Sequence, residues 1–142
     1  DFMNQEKINF SYTSYERIEE CSNKLLQRVI CPKQTSYEKL LLGNTIGNST
    51  AMYSVKSLGK FNIPLIRKRN DYALWLRILK KEKYAVGISD VLMKYRVRSD
   101  SLSSNKIELL KYNWQLYRNI EELNMLKSLF YLASVCWRKI MR

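Results

Sequence analysis

RKRNDYALWLRILKKEKY, residues 67–84, decides the fold. Tyr72, Trp75, Leu76 and Leu79 fall at i, i+3, i+4 and i+7, one apolar stripe of a helix running to about Glu82. A basic run, Arg67-Lys68-Arg69, leads into it, and Asn70 and Asp71 stand where it begins. Asn70 is a good N-cap, and a carboxylate at Asp71 meets the positive end of the helix. The same position holds Asp71 at the edge of the fold, as a catalytic base requires. The residues alone leave both roles open.

Working outward, the period changes on either side of this helix. Downstream, YAVGI and VLMKYRV are expected as a pair of strands separated by Ser89-Asp90, followed by a polar loop, RSDSLSSN. Beyond Asn105 a long helical pattern runs through Leu110, Trp114 and Tyr117, with a break near Asn124. Upstream, residues 1–7 read as the end of a helix. Ile8, Phe10, Tyr12 and Ser14 alternate as a strand, ECSNK turns, and LLQRVI returns as a second strand before Pro32. TSYEKLLLGN is a short helix capped by Thr35 or Ser36 and stopped at Gly43-Asn44. TIGNSTAMYSV reads as a buried strand, and KSLGKFNIPLI as turn and loop. Interleaved strands and helices predict an α/β or α+β domain with a mixed sheet.

The chain has 142 residues, 46% of them hydrophobic, enough for one domain with a real core. Its 25 Lys and Arg outnumber 13 Asp and Glu, for a formal charge of +12. Such a field attracts polyanions: nucleic acid, anionic headgroups or phosphorylated small molecules. Histidine is absent, and Cys21, Cys31 and Cys136 are scattered without a C-x-x-C pair, which excludes the common zinc patterns. Free thiols of a reducing compartment are the expectation. No stretch approaches the roughly 20 apolar residues of a membrane span.

Taken together and in order, GNTIGNSTAMYSVKSLGKF, RNDYALWLRILKK and VLMKYRVRSDSLSS resemble the second half of a family-2 glycosyltransferase of the GT-A fold. The resemblance extends over nearly the whole chain, with the last forty residues least diagnostic. It implies an inverting enzyme that moves a sugar from a nucleotide-sugar to a glycan or lipid-linked acceptor, in cell-surface polysaccharide biosynthesis. Asp71 matches the family's general base, although Asn70 replaces the usual Glu or Gln before it. The resemblance also implies a diphosphate contact for Arg69, Arg96 and Arg98; Arg98 stands where relatives often carry a histidine. Asn48, Ser49 and Thr50 match the segment lining the acceptor side. A divalent metal, Mg or Mn, is expected in the full-length enzyme.

The family's acidic nucleotide-binding motif does not occur here. Residues 1–104 are therefore expected to be the acceptor-side half, followed by a helical extension, 105–142, and the isolated piece is expected to be inactive and to self-associate. A cytoplasmic location is implied, with peripheral contact at the inner face of the membrane through 127–142. In that tail, Leu129, Leu132, Ala133, Cys136 and Ile140 form one stripe flanked by Phe130 and Trp137, which would pack on the domain or lie in a membrane interface. The alternative reading is a basic nucleic-acid-binding or non-catalytic interaction module. No recognition motif for nucleic acid is present, and the basic residues are dispersed.

Overall fold

The computed structural model describes residues 2–97 and 106–140. After a single helical turn, α1 (Phe2–Gln5), the expected hairpin forms from β1 (Phe10–Glu19) and β2 (Leu25–Val29). β3 (Gln34–Thr35) leads into α2 (Tyr37–Leu41), where the Ser36 hydroxyl accepts the Lys39 N–H as N-cap. A 3-10 turn (Asn48–Thr50), β4 (Met52–Tyr53) and α3 (Val55–Leu58) precede α4 (Asn70–Leu79). β5 (Ala85–Val97), α5 (Lys106–Gln115) with its π-helical continuation Leu116–Ile120, and α6 (Met125–Ile140) complete the order.

The fold is α/β with a mixed sheet, as expected. Strand order is β2-β1-β5-β3, with β4 paired to the start of β1. β1 runs antiparallel to β2 and parallel to β5, so it is the central strand. Alternation along β1 sends Phe10 and Tyr12 to the helical side, where the Phe10 ring lies 5.6 Å from that of Trp75. Seven of the ten residues of α4 are buried, and Leu40, Leu41, Leu116 and Tyr117 close over them. Tyr72 and Tyr117 meet at the centre. The Tyr72 hydroxyl donates to the Leu40 carbonyl (2.7 Å), the Tyr117 hydroxyl to that of Leu41 (2.8 Å). Burial pushes both phenols up. Carbonyls that α2 leaves unpaired at its C-terminus are thus capped by tyrosines.

Three expectations are corrected. Residues 45–55 form a strand only at Met52–Tyr53, paired with β1: before it, Asn44 Oδ1 accepts the Ile46 N–H, and the Gly47 carbonyl accepts both the Thr50 N–H and hydroxyl. Short polar side chains that bond their own backbone divert the chain into turns. Ser89-Asp90 does not divide the segment into separate strands. Thr13 pairs with Ile88 and Ser14 with Val91, so the dipeptide is a bulge within one strand, β5. The third concerns α6. Its buried side carries Ser128, Tyr131 and Val135 in place of the expected stripe. The Ser134 hydroxyl reaches the Leu42 carbonyl at 3.1 Å and the Tyr131 ring sits 5.9 Å from Tyr117. Docking follows these polar and aromatic partners, and Leu129, Phe130, Ala133 and Trp137 are left exposed.

Candidate active site

On the sheet face away from Trp75, two rows of side chains come into register. Gln27, Arg17 and Tyr95 form one row across β2, β1 and β5, and Val29, Tyr15 and Met93 form the next. These six residues line a cleft of about 550 Å³. Its walls are the segment Asn44–Ser49 and the segment Arg67–Asp71, with Leu109 of α5. Arg17 Nη1 donates to Gln27 Oε1 at 3.1 Å, and Tyr15 and Tyr95 meet edge to face at 6.4 Å. The floor is therefore aromatic and cationic.

Asp71 enters the cleft from the first turn of α4. The N-cap is not Asn70, as expected, but Arg69, whose backbone is left-handed at φ 67°. Asn70 is the first helical residue, and its Oδ1 accepts the Asp71 N–H at 2.9 Å. The helix ends at Leu79, one turn short of Glu82, which instead accepts a hydrogen bond from Asn9. A non-glycine residue in the left-handed region is uncommon, and such strain gathers where a turn serves a site. Here the turn points Asp71 towards the sheet floor and brings Arg69 alongside. Arg69 is half-buried and its Nε has no hydrogen-bond partner among the described residues. The Asp71 carboxylate, half-buried, accepts no hydrogen bond and joins no ion pair among those residues.

The preceding cations divide their tasks. Lys68 Nζ lies 2.6 Å from Glu108 and over the Tyr112 ring, fastening this segment to α5. Arg67 is exposed at the cleft.

Of the residues singled out from sequence, Asp71, Arg69, Asn48 and Ser49 share the cleft. Thr50 does not line it. It is buried and donates its hydroxyl to the Gly47 carbonyl at 2.8 Å. Arg96 also lies elsewhere, with its Nη1 donating to the Glu20 carbonyl and to Asn23 Oδ1, both at 2.7 Å, across the hairpin turn. Arg98 falls outside the described residues. The floor residues Tyr15, Arg17, Gln27, Met93 and Tyr95 were missed. Alternation along β1 marks Tyr15 and Arg17 as sharing a face, and hairpin register sets Gln27 opposite Arg17. Nothing local to the sequence announces the parallel pairing that adds Met93 and Tyr95.

This geometry can be set beside proteins of similar sequence. The resemblance is to glycosyltransferases. The chain is 34% identical over 128 residues, 90% of its length, to a protein of Bacillus subtilis named putative teichuronic acid biosynthesis glycosyltransferase TuaG. It is also 34% identical, over 93% and 90% of its length, to two Escherichia coli proteins, WfgD and WfaP. Both are named UDP-Glc:alpha-D-GlcNAc-diphosphoundecaprenol beta-1,3-glucosyltransferase. The chain spans about half the length of the curated relatives it matches: 51%, 51% and 46% of these three. No protein-family model matches it.

Proposed function

We propose that this chain is the acceptor-side portion of an inverting family-2 glycosyltransferase of the GT-A fold, with Asp71 as its general base. The observation that carries the reading is the position of Asp71. A carboxylate with no partner among the described residues stands on the wall of a cleft with a cationic, aromatic floor, in a chain similar to named glycosyltransferases.

In the proposed reaction an acceptor hydroxyl lies against Asp71 with its sugar ring over Tyr15 and Tyr95 and between Asn48 and Ser49. As the hydroxyl oxygen attacks the anomeric carbon of a nucleotide-sugar, its proton passes to the Asp71 carboxylate. The new C–O bond forms on the face opposite the nucleotide. The bond from that carbon to the diphosphate oxygen breaks, its electron pair leaves with the nucleoside diphosphate, and configuration inverts. Arg69 and Arg67 are the cations best placed to meet negative charge on either substrate, and Arg98 keeps the role that the resemblance implies. Fixed positive groups that face developing charge in a water-poor cleft stabilise a transition state strongly. A divalent cation belongs to the same expectation. Among the described residues no group of three or more His, Cys, Asp or Glu comes together. The acceptor class favoured here is a polyprenyl-diphosphate-linked sugar, as in the names of two relatives.

Asp71→Asn in the full-length protein tests the base. The amide keeps the size of the side chain and asparagine is well tolerated at a helix start, so the fold should survive the loss of charge. Transfer, followed as release of nucleoside diphosphate, should fall by about 10²- to 10⁴-fold. Near-normal turnover by the folded variant would reduce Asp71 to a helix-terminal charge.

A further inference from the structure

Along α6 the apolar residues that fail to pack do not scatter. Met125, Leu126, Leu129, Phe130, Ala133 and Trp137 are all exposed, with Leu126 at 79%, Phe130 at 62% and Trp137 at 64%. At 3.6 residues per turn they occupy one continuous arc of about 140°. The opposite side, with Ser128, Tyr131 and Val135, holds the helix to the domain. A contiguous apolar face of this size on a surface helix marks a docking surface.

What covers it is indicated by charge. From Met125 to Arg142 the sequence contains no acidic residue, while Lys127, Arg138, Lys139 and Arg142 are basic, within a chain of formal charge +12. A protein partner that seals an apolar face gains nothing from cations without matching anions. An anionic bilayer satisfies both features, taking the apolar side chains to the depth of the acyl boundary and the ammonium and guanidinium groups at phosphate level. Phe130 and Trp137, one apolar and one carrying an N–H, suit that boundary.

α6 also approaches the cleft wall, through Arg138, which lies outside the apolar arc. Arg138 lies across Gly43, its Cδ 3.4 Å from where a Cβ would stand, and Gly43 is followed by the cleft-lining Asn44 and Thr45. Gly43 has φ 150°, a conformation closed to other residues without strain, so the chain passes directly from the arginine to the cleft wall. We infer that the exposed face of α6 seats the protein on an anionic lipid surface, with Arg138 beside the point where a diphosphate-linked lipid acceptor reaches the cleft. The acceptor's route rests on the function proposed above; the seating does not.

The test uses the full-length protein and two vesicle types, phosphatidylcholine alone and phosphatidylcholine with phosphatidylglycerol. The protein should float with the anionic vesicles, release in high salt, and float poorly with the neutral ones. L126E/F130E changes two exposed side chains, so its melting temperature should match the parent while its affinity for the vesicles falls at least roughly tenfold, because two apolar anchors are replaced by carboxylates that the anionic surface repels. The variant should keep transfer to a water-soluble short-chain acceptor and lose it on the bilayer-embedded one. Unchanged flotation of L126E/F130E overturns the inference. So does a parent that never floats, even where the variant dissolves a dimer. A parent that floats but transfers to neither acceptor would sink the enzymatic reading and leave the seating intact.

Discussion

α4 and α6 carry similar apolar loads and meet opposite fates. α4 buries seven of ten residues between the sheet, α2 and the π-helical segment. α6, with sixteen, leaves most of its large apolar groups in solvent and docks through serines, a tyrosine and a valine. The difference shows that an apolar stripe reports a capacity for burial and not its direction. In α4 the stripe has no competitor, because the outer side offers the charged Arg77 and Lys80. In α6 the narrow side offers small residues, which allow close approach, and hydroxyls that satisfy the α2 terminus through Leu42.

The contrast can be pressed hardest on α4. Leu76→Ala removes a fully buried side chain and should cost about 2–5 kcal/mol, read from a denaturation midpoint. A cost under about 1 kcal/mol would mean that the helix is not the keystone described here. Next in size is the pair Tyr72 and Tyr117, which joins α4 to the π-helical segment. Tyr117→Phe leaves the Leu41 carbonyl only its longer, 3.3 Å contact with the Tyr72 hydroxyl and should cost about 1–2 kcal/mol. Alkali probes the same pair. Both phenols hold their protons more tightly in the folded chain than in the unfolded one, and Tyr12, buried beside Cys31, is pushed up to about 12. Their contribution is fully present below the unfolded value near 10 and is lost as pH rises from there through the folded values. Melting temperature should therefore be insensitive to these groups up to about pH 9.5 and fall beyond it, and Tyr117→Phe should blunt the fall. The smallest effect belongs to the outer face of α6. Leu126→Ala should change stability by no more than about 0.5 kcal/mol. A larger loss would mean that the face is covered by protein.

Much of this was legible beforehand. The hairpin, the Ser36 cap, the α4 stripe and the break near Asn124 follow from local periodicity and turn chemistry, which the chain carries within a few residues. Asp71 could be placed at a helix start by the same means, and next to Asn48 and Ser49 only through resemblance. What could not be read is whatever depends on partners distant in sequence. Ser89-Asp90 looks like punctuation until β1 supplies the register that makes it a bulge. Arg96 looks like one more free cation until the hairpin turn comes within 2.7 Å. Arg69 carries no mark of a left-handed residue, and its φ of 67° is seen only in the structure, between the buried Ile66 and Tyr72.

The parallel pairing of β1 with β5 has a consequence in time. Ser11 sits opposite Val86, so the cleft floor joins segments separated by about half of the chain, whereas β1 and β2 meet across a five-residue turn. Closing the longer loop costs entropy before any contact is gained. During synthesis the hairpin can form as soon as Val29 has emerged, with Arg17 and Gln27 already opposed. The floor stays incomplete until Val97 is free of the ribosome, and only then does Asp71, made earlier, face a finished surface. The order of assembly keeps the candidate base from having a cleft to serve until nearly the whole sheet exists.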